Sequence, residues 1–413
     1  MFRKLLTFKE AKYTLNKLEL TPRGTEEIPL LEANNRVLAE DAISTLDIPP
    51  FDRSTVDGYA VRAQDTYGAD EKQPAHLKVS GIVNIGELPS VKIERGETAE
   101  IVTGAPIPEG ADAVVMIENT EKTDSSLSVF RAVTTNENLM KKGSDLHKGE
   151  TALKKGRLLN PSQIGVLAAL GVAKVKVFMI PIVAVLSTGG EIIEPGNSLR
   201  PGKIYDINAY SLSAAVEDSG GKPVYLGIAP DIGEKLRETL ENALATADIV
   251  ISSAGVSVGP KDLLPTTLQS LGKPGLLFSG ITVKPGKPTT AALIEKKIVF
   301  SLPGHPASAL LIFNLLVRPV IQRLAGRAST ESSMVKAFAG ARMFAAKGRR
   351  TFVMVKLKCD EAKRLIAEPV VSGASGAITT LARADGYIAI PENQQFVDKD
   401  DEIVVSLFKS NIA

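Results

Sequence analysis

The chain has 413 residues, more than one ordinary hydrophobic core accommodates, so about two to four domains are expected. Hydrophobic residues make up 44% and charged residues 23%, and a formal net charge of +2 without any face-wide excess of Lys and Arg gives no electrostatic case for nucleic acid. The lone Cys359 excludes an internal disulfide and a thiolate metal cluster; its alternating surroundings predict a packed thiol.

The three histidines, His76, His147 and His305, lie far apart without helical metal spacing. Zinc is therefore not expected, and any cation should be hard and oxygen-ligated, which points to Mg²⁺. The N-terminus lacks the long apolar run of a secretory signal, and no stretch approaches a span of ~20 apolar residues. The cytoplasm is the expected location, with neither membrane nor nucleic acid as a partner.

Residues 7–19 predict a helix, with Thr7 as N-cap and Glu10 completing a capping box. Residues 27–46 alternate strand and turn, and Pro49-Pro50 opens a loop that runs to Asp57-Gly-Tyr59. From about 75 to 135, short alternating strands with Gly, Pro and Asn turns suggest an all-β unit. Gly143 to Leu159 is polar and turn-rich, and residues 161–170 predict a helix ended by Gly171. At Ile180 the period changes. Strand 182–186, helix 208–218, strand 223–228 and helix 232–245 alternate, and a long helix is expected over 307–324. Residues 326–333 form a polar linker, and 335–413 return to the alternation of a small β-barrel or sandwich.

Four apolar runs between Ile180 and Ser308 each end in a loop of glycines and hydroxyls: 182–186, 249–251, 281–283 and 298–300. This pattern predicts a parallel sheet whose carboxyl-end loops share one ligand-binding edge. After the first run, Ser187-Thr-Gly-Gly-Glu191 lets backbone N–H groups approach an anion and aims Glu191 at the edge as a metal ligand or base, although a tight turn with a solvent-facing Glu reads equally well. After the second, residues 252–262 are dense in Gly and Ser, including Ser257. Such a loop suits a phosphate or pyrophosphate, and Asp262 is placed to ligate a bridging cation. Lys284-Pro-Gly-Lys287-Pro holds two cations on a stiff turn suited to an oxyanion. Pro288 stands where a Walker A loop needs Ser or Thr, and no Gly-x-Gly-x-x-Gly occurs. From the residues alone, Asp57 and Thr103 read better as ordinary turns than as site residues, and Asp231 and Asp145 are ambiguous between a site and a helix cap. No Ser-His-Asp arrangement is supported.

Taken in order, these motifs resemble the molybdopterin molybdenumtransferase family, which includes MoeA and the E domain of gephyrin. The matching pieces are Pro49 to Arg62, Ile101 to Met116, Leu186 to Glu191, Gly202 to Asn208, Ser252 to Asp262, Lys284 to Pro288, Leu302 to Ser308 and Leu381 to Gly386, which together span nearly the whole chain.

The resemblance implies a multi-domain α/β fold: an elongated segmented domain (1–26 and 140–179), a β-rich domain (27–139), a central MogA/MoaB-like molybdopterin-binding α/β domain (180–327) and a C-terminal β-barrel (328–413). It implies a homodimer, a molybdopterin adenylyltransferase as partner, and Mg²⁺-dependent insertion of molybdate or tungstate into adenylylated molybdopterin with release of AMP. Glu191, Asp231 and Asp262 match the α/β-domain acids of the family's site and are the expected metal ligands. Asp57 and Thr103 match positions supplied by the β-domain, from the partner subunit, and Asp145 matches an acid of the elongated domain. Lys284 and Lys287 would clamp the anion with Ser187 and Ser257, and Arg349 and Ser375 would contribute from the C-terminal domain.

Several positions depart from the family's pattern. Gly190 stands where an acid is usual, Ala254 replaces a glycine, His305 an asparagine, and Gly280 a lysine found in some members. Two alternatives from other classes are a non-catalytic dimeric scaffold of the same fold, which has no need of clustered acids, and a phosphoester or nucleotide hydrolase sharing only the α/β domain.

Overall fold

The structure is a computed structural model that describes residues 5–230, 232–253, 264–328, 333–370 and 378–408, with the backbone alone at Ile378 and Leu381. The chain divides into two compact units. One comprises Met1–Ala39, Lys155–Asn160 and Val175–Ala413, and the other Glu40–Lys154 and Pro161–Lys174.

Helix α1 (Phe8–Asn16) starts as its sequence dictates. Thr7 Oγ1 accepts from the Glu10 N–H at 3.2 Å, and the Glu10 carboxylate accepts from the Thr7 N–H at 2.7 Å. Its apolar stripe of Phe8, Ala11 and Leu15 is buried.

The second unit is built on a six-stranded sheet of β1 (Gly58–Val61), β2 (Ala75–Val83), β3 (Glu97–Ile101), β4 (Ala113–Met116), β5 (Thr120–Thr123) and β6 (Ser126–Val129), in the order β4-β1-β3-β2-β6-β5. Alternation along β1 and β4 sends Tyr59, Val61, Ala113 and Val115 into one core and Ala60 and Val114 into another, so the sheet is buried on both faces.

The α/β layer of the other unit follows Ile180 as expected. Its elements are β7 (Ile182–Thr188), α2 (Asn208–Asp218), β8 (Lys222–Ala229), α3 (Gly233–Thr246), β9 (Ile249–Ser253), β10 (Pro274–Ser279), β11 (Val283–Lys284), β12 (Thr290–Ile294) and β13 (Lys297–Leu302). The sheet runs β8-β7-β9-β13-β12-β10; the first four strands are parallel, and β12 is antiparallel to both of its neighbours, β13 and β10. Val183, Val185, Ile249, Ile251, Ile298 and Phe300 face α1, α2 and the long helix; Ala184, Leu186, Val250 and Val299 face α3.

One expectation fails. The run 281–283 is not a strand of this sheet. Its chain turns at Gly280, where φ is +89°, and the Ile281 N–H is spent on the Lys287 carbonyl at 2.9 Å. Val283 and Lys284 pair instead, as β11, with a strand of the C-terminal domain.

The long apolar stretch forms α4 (Pro306–Ile312), a π-helical turn over Phe313–Val317, and α5 (Arg318–Leu324). It is long and apolar enough by composition to cross a membrane, yet 72% of it is buried inside the protein, as a core helix would be.

Beyond it, β14 (Met334–Ala339), β15 (Arg350–Cys359), β16 (Leu365–Pro369), β17 (Gly386–Ile390) and β18 (Glu402–Leu407) close into a barrel in the cycle β15-β16-β14-β18-β17, with β11 added alongside β15. Phe352 and Tyr387 join the barrel to α1 through an edge-to-face contact of Phe352 with Phe8 at 5.3 Å. Cys359, at the end of β15, is exposed rather than packed. It is still paired with Leu365, but the alternation of burial breaks there, with Lys358 and Cys359 both exposed.

Candidate active site

The carboxyl edge of the α/β sheet carries hydroxyls where its interior carries hydrocarbon. Residues opposite one another across four neighbouring strands are Ser252 on β9, Ser301 on β13, Thr290 on β12 and Ser279 on β10. Ser252 and Ser301 are fully buried, and among the described residues their hydroxyl oxygens have no hydrogen-bond partner. Thr290 and Ser279 bond each other at 3.2 Å. Orphaned hydroxyls at a strand end cost stability unless something polar reaches them, which makes this edge a candidate for a polar ligand.

Ser187, at the end of β7, is buried and donates to Asp206 Oδ1 at 2.9 Å. The same oxygen accepts from the Ala209 N–H at 3.0 Å, the bond a capping acid makes in the first turn of a helix. Asp206 Oδ2 accepts from the Tyr225 hydroxyl at 3.3 Å. Burial and then the Asp206 charge hold the Tyr225 phenol well above the usual tyrosine range. Two residues on, the Asn208 amide donates to Ser253 Oγ at 2.6 Å and to the Gly304 carbonyl at 2.7 Å, linking the ends of β9 and β13. Asp206 and Asn208 were not among the expected site residues. The signal for them lies in the motif Gly202 to Asn208, where a buried acid and amide flank Ile207 just before a helix.

Glu191 is exposed, and its carboxylate folds back over Gly189: a Cβ there would lie 2.8 Å from Glu191 Oε2. Gly190 is also exposed. A Cβ added to it meets nothing within 4 Å, and the Lys203 ammonium donates to its carbonyl oxygen. The acid usual in the family is therefore missing from open space, with a lysine beside the vacated position.

The lysine turn is stiff, as expected. Gly286 sits at φ +105°, and a Cβ on it would fall 2.5 Å from Ile312 of α4, so only glycine lets the turn lie against that helix. Buried Thr289 donates to the Gly286 carbonyl at 2.6 Å. The turn leaves β11 at exposed Lys284 and enters β12 at Thr290, opposite Ser301, which places it at the hydroxyl-lined edge. Gly280 has its own explanation: a Cβ would lie 2.4 Å from Leu5, whose neighbour Leu6 pairs with Ile281, so the N-terminal segment fills the space of a longer side chain.

Arg349 is exposed on the turn before β15, and among the described residues its guanidinium has no ion-pair partner. Arg350 is tied to Glu392 at 3.3 Å.

In the second unit, Asp57 and Thr103 come together. Asp57 Oδ1 accepts from the Thr103 N–H at 2.7 Å and from its hydroxyl at 2.8 Å, and these two donors, the N–H foremost, hold the exposed carboxyl below its ordinary range. Asp145 is exposed on a loop pinned by other acids: Asp47 accepts from the Lys148 N–H at 2.9 Å, and Asp52 from the Lys142 N–H at 2.8 Å. Among the described residues no hydrogen bond joins Asp145 to Asp57 or Thr103.

Asp231, Ser257, Asp262 and Ser375 lie outside the described residues. Among the described residues no group of three His, Cys, Asp or Glu side chains could hold a metal ion. Asp206 is committed to three donors, and the exposed carboxylates of Glu191 and Glu194, the latter close enough for its charge to act on Tyr225, do not complete a ligand set with it, so the described residues by themselves do not fit the ion.

Three family profiles cover most of the chain: the MoeA N-terminal region (domain I and II) over residues 6–171, a probable molybdopterin binding domain over 184–323 and the MoeA C-terminal region (domain IV) over 336–408. The molybdopterin molybdenumtransferase of Nostoc is 35% identical over 387 residues, covering 93% of this chain and 88% of its own. That of Bacillus subtilis is 34% identical, covering 93% and 90%. A crystal structure of the molybdopterin biosynthesis MoeA protein from Pyrococcus horikoshii superposes with a TM-score of 0.85 at 34% identity, covering 98% of this chain and all of that one. With profiles, relatives and a solved structure agreeing along its length, the chain belongs to the molybdopterin molybdenumtransferase (MoeA) family of molybdenum cofactor biosynthesis.

Proposed function

We propose that this enzyme inserts molybdate, or tungstate, into adenylylated molybdopterin in a Mg²⁺-dependent reaction that releases AMP. The observation that carries the proposal is the carboxyl edge of the α/β sheet, where buried hydroxyls, the Asp206-anchored start of α2 and the two-lysine turn face one surface. Lys284 and Lys287 supply positive charge for an oxyanion, and their stiff turn means little conformational freedom is lost when it binds. Ser187 and Ser257 offer hydroxyls to the pyrophosphate, and Arg349 and Ser375 add donors from the barrel side. Glu191, with Asp231 and Asp262, would hold the cation, which when bound offsets charge on the pyrophosphate. Asp57, kept ionised by Thr103, and Asp145 act from the second unit, in a homodimer whose partner subunit supplies the β-domain residues. The adenylylated substrate comes from a molybdopterin adenylyltransferase, and the reaction takes place in the cytoplasm.

Purified protein mixed with adenylylated molybdopterin, molybdate and Mg²⁺ should release AMP and yield active cofactor. Absence of AMP under those conditions refutes the proposal. Glu191→Ala should lose turnover by about 100-fold or more while melting like the parent, since Glu191 is exposed and holds no structural bond in the described structure. Full activity in that variant removes Glu191 from the mechanism.

A further inference from the structure

The turn that carries Arg349 is held by more bonds than an exposed turn needs. Residues Ala346 to Arg349 close it themselves, the Arg349 N–H donating to the Ala346 carbonyl at 3.1 Å. Gly348, third in the turn, sits at φ +70°, which glycine adopts without strain, and Lys347 and Arg349 are exposed. Thr351, only 4% exposed, then binds the turn a second time. Its Oγ1 accepts from the Ala346 N–H at 2.9 Å and donates to the Arg349 carbonyl at 3.3 Å. One buried hydroxyl thus bonds both ends of the turn.

The same residue is tied to the lysine turn. The Arg350 N–H donates to the Thr282 carbonyl at 3.2 Å, Val283 lies opposite Arg350, and Lys284 lies opposite Thr351. Arg350 is committed elsewhere, donating to Glu392 at 3.3 Å with its guanidinium 5.7 Å from the centre of the Phe8 ring. Thr351 is therefore where two pieces of the edge meet: its backbone pairs with the first lysine, and its side chain sets the turn of Arg349. A β-branched side chain has few rotamers, so the strand rather than the turn decides where that hydroxyl sits.

We propose that Thr351 is a positioning residue for the oxyanion site, its hydroxyl holding the turn 346–349 so that Arg349 is kept in register with Lys284 before the anion arrives. The inference rests on the functional reading above, in which both side chains bind the anion. An arginine whose backbone is already fixed loses less freedom on binding, and its planar fork meets two oxygens of a tetrahedral oxyanion at once. Loosening the turn then costs affinity without removing any charge.

Titration calorimetry of the full chain with sodium molybdate, against chloride at equal ionic strength, tests it. Thr351→Val keeps the shape and removes the hydroxyl, and should weaken binding by about three- to tenfold. Thr351→Ser restores a hydroxyl and should bind within about twofold of the parent. In an Arg349→Ala background, Thr351→Val should change affinity by less than about twofold, because the turn no longer carries the charge to be positioned. Unchanged affinity in Thr351→Val, or an equal loss with and without Arg349, overturns the proposal. Thermal melts give a second reading that does not need the Arg349 background. The Val and Ser variants should lose similar stability, one through a hydrogen bond and the other through a buried methyl, yet differ in affinity. An affinity that follows the melting temperature instead of the hydroxyl reduces Thr351 to support of the barrel and overturns the proposal. A parent that binds no molybdate is a different result: it overturns the functional reading, and this inference with it.

Discussion

Asp206 is the residue on which the sheet edge turns, and replacing it tests that directly. Asp206→Ala removes the acceptor for the Ala209 N–H, a cap worth about 1 kcal/mol. It also strands the buried Ser187 hydroxyl, at a cost of about 1–3 kcal/mol. The half-buried Tyr225 bond is long at 3.3 Å and adds little. Together these give a loss of about 2–4 kcal/mol. At roughly 2–4 °C per kcal/mol for a large unit, the melting temperature should fall by about 5–15 °C in differential scanning calorimetry. Asp206→Asn keeps an oxygen where Ser187 and Ala209 donate and should lose well under half as much. A fall of less than about 2 °C in Asp206→Ala would refute the reasoning. So would equal losses in the two variants, because the damage would then come from charge rather than from the bonds to Ser187 and Ala209.

Gly190→Asp should melt like the parent, because an added Cβ meets nothing within 4 Å, and should bind Mg²⁺ more tightly by calorimetry; unchanged affinity would separate position 190 from the cation. In the second unit, the two Thr103 donors favour ionised Asp57, so its folded pKa lies below the unfolded value and its stabilising effect is present above the ordinary carboxylate range and lost as pH falls through the folded pKa. Thr103→Ala keeps the N–H bond and loses the hydroxyl bond, so carboxyl ¹³C NMR should show the Asp57 midpoint rising part of the way back; a midpoint that does not move would exclude the hydroxyl as a cause. Gly58→Ala should destabilise the β-sheet unit by about 3 kcal/mol or more in urea unfolding, since its Cβ would fall 1.9 Å from the Val115 carbonyl oxygen and no rotamer relieves a backbone clash. A loss under 1 kcal/mol would mean that β1 and β4 can part.

The elements that were legible in the sequence are those whose signals are local. The capping box of α1, the change of period at Ile180 and the start of α2 at Asn208 are all written in neighbouring residues, and each appears where expected. The run 281–283 was misread because its apolar residues are buried against the N-terminal segment and α4, contacts that no window of sequence contains. Glu191 and the lysines stood out because glycine and proline punctuate their loops. Asp206 did not, because a buried acid looks the same in sequence as an exposed cap until Ser187 and Tyr225 are seen to converge on it from two strands. The orphaned hydroxyls of Ser252 and Ser301 were hidden for the same reason: each is an ordinary serine on its own strand, and only the register sets them side by side.

The lysine turn is tethered at both ends to different bodies. Lys284 lies opposite Thr351 of the barrel, while Thr290 lies opposite Ser301 of the α/β sheet. Any rocking of the barrel would therefore drag one ammonium and leave the other end of the turn in place, changing the spacing of the two charges without altering a residue at the edge. A chain ending before Met334 would retain every edge residue named here and still leave β11 with no strand to pair with, so its two ammoniums would lose their common frame. If the two lysines hold an oxyanion as proposed, mutations far from the edge, along β15, should change oxyanion affinity through this tether.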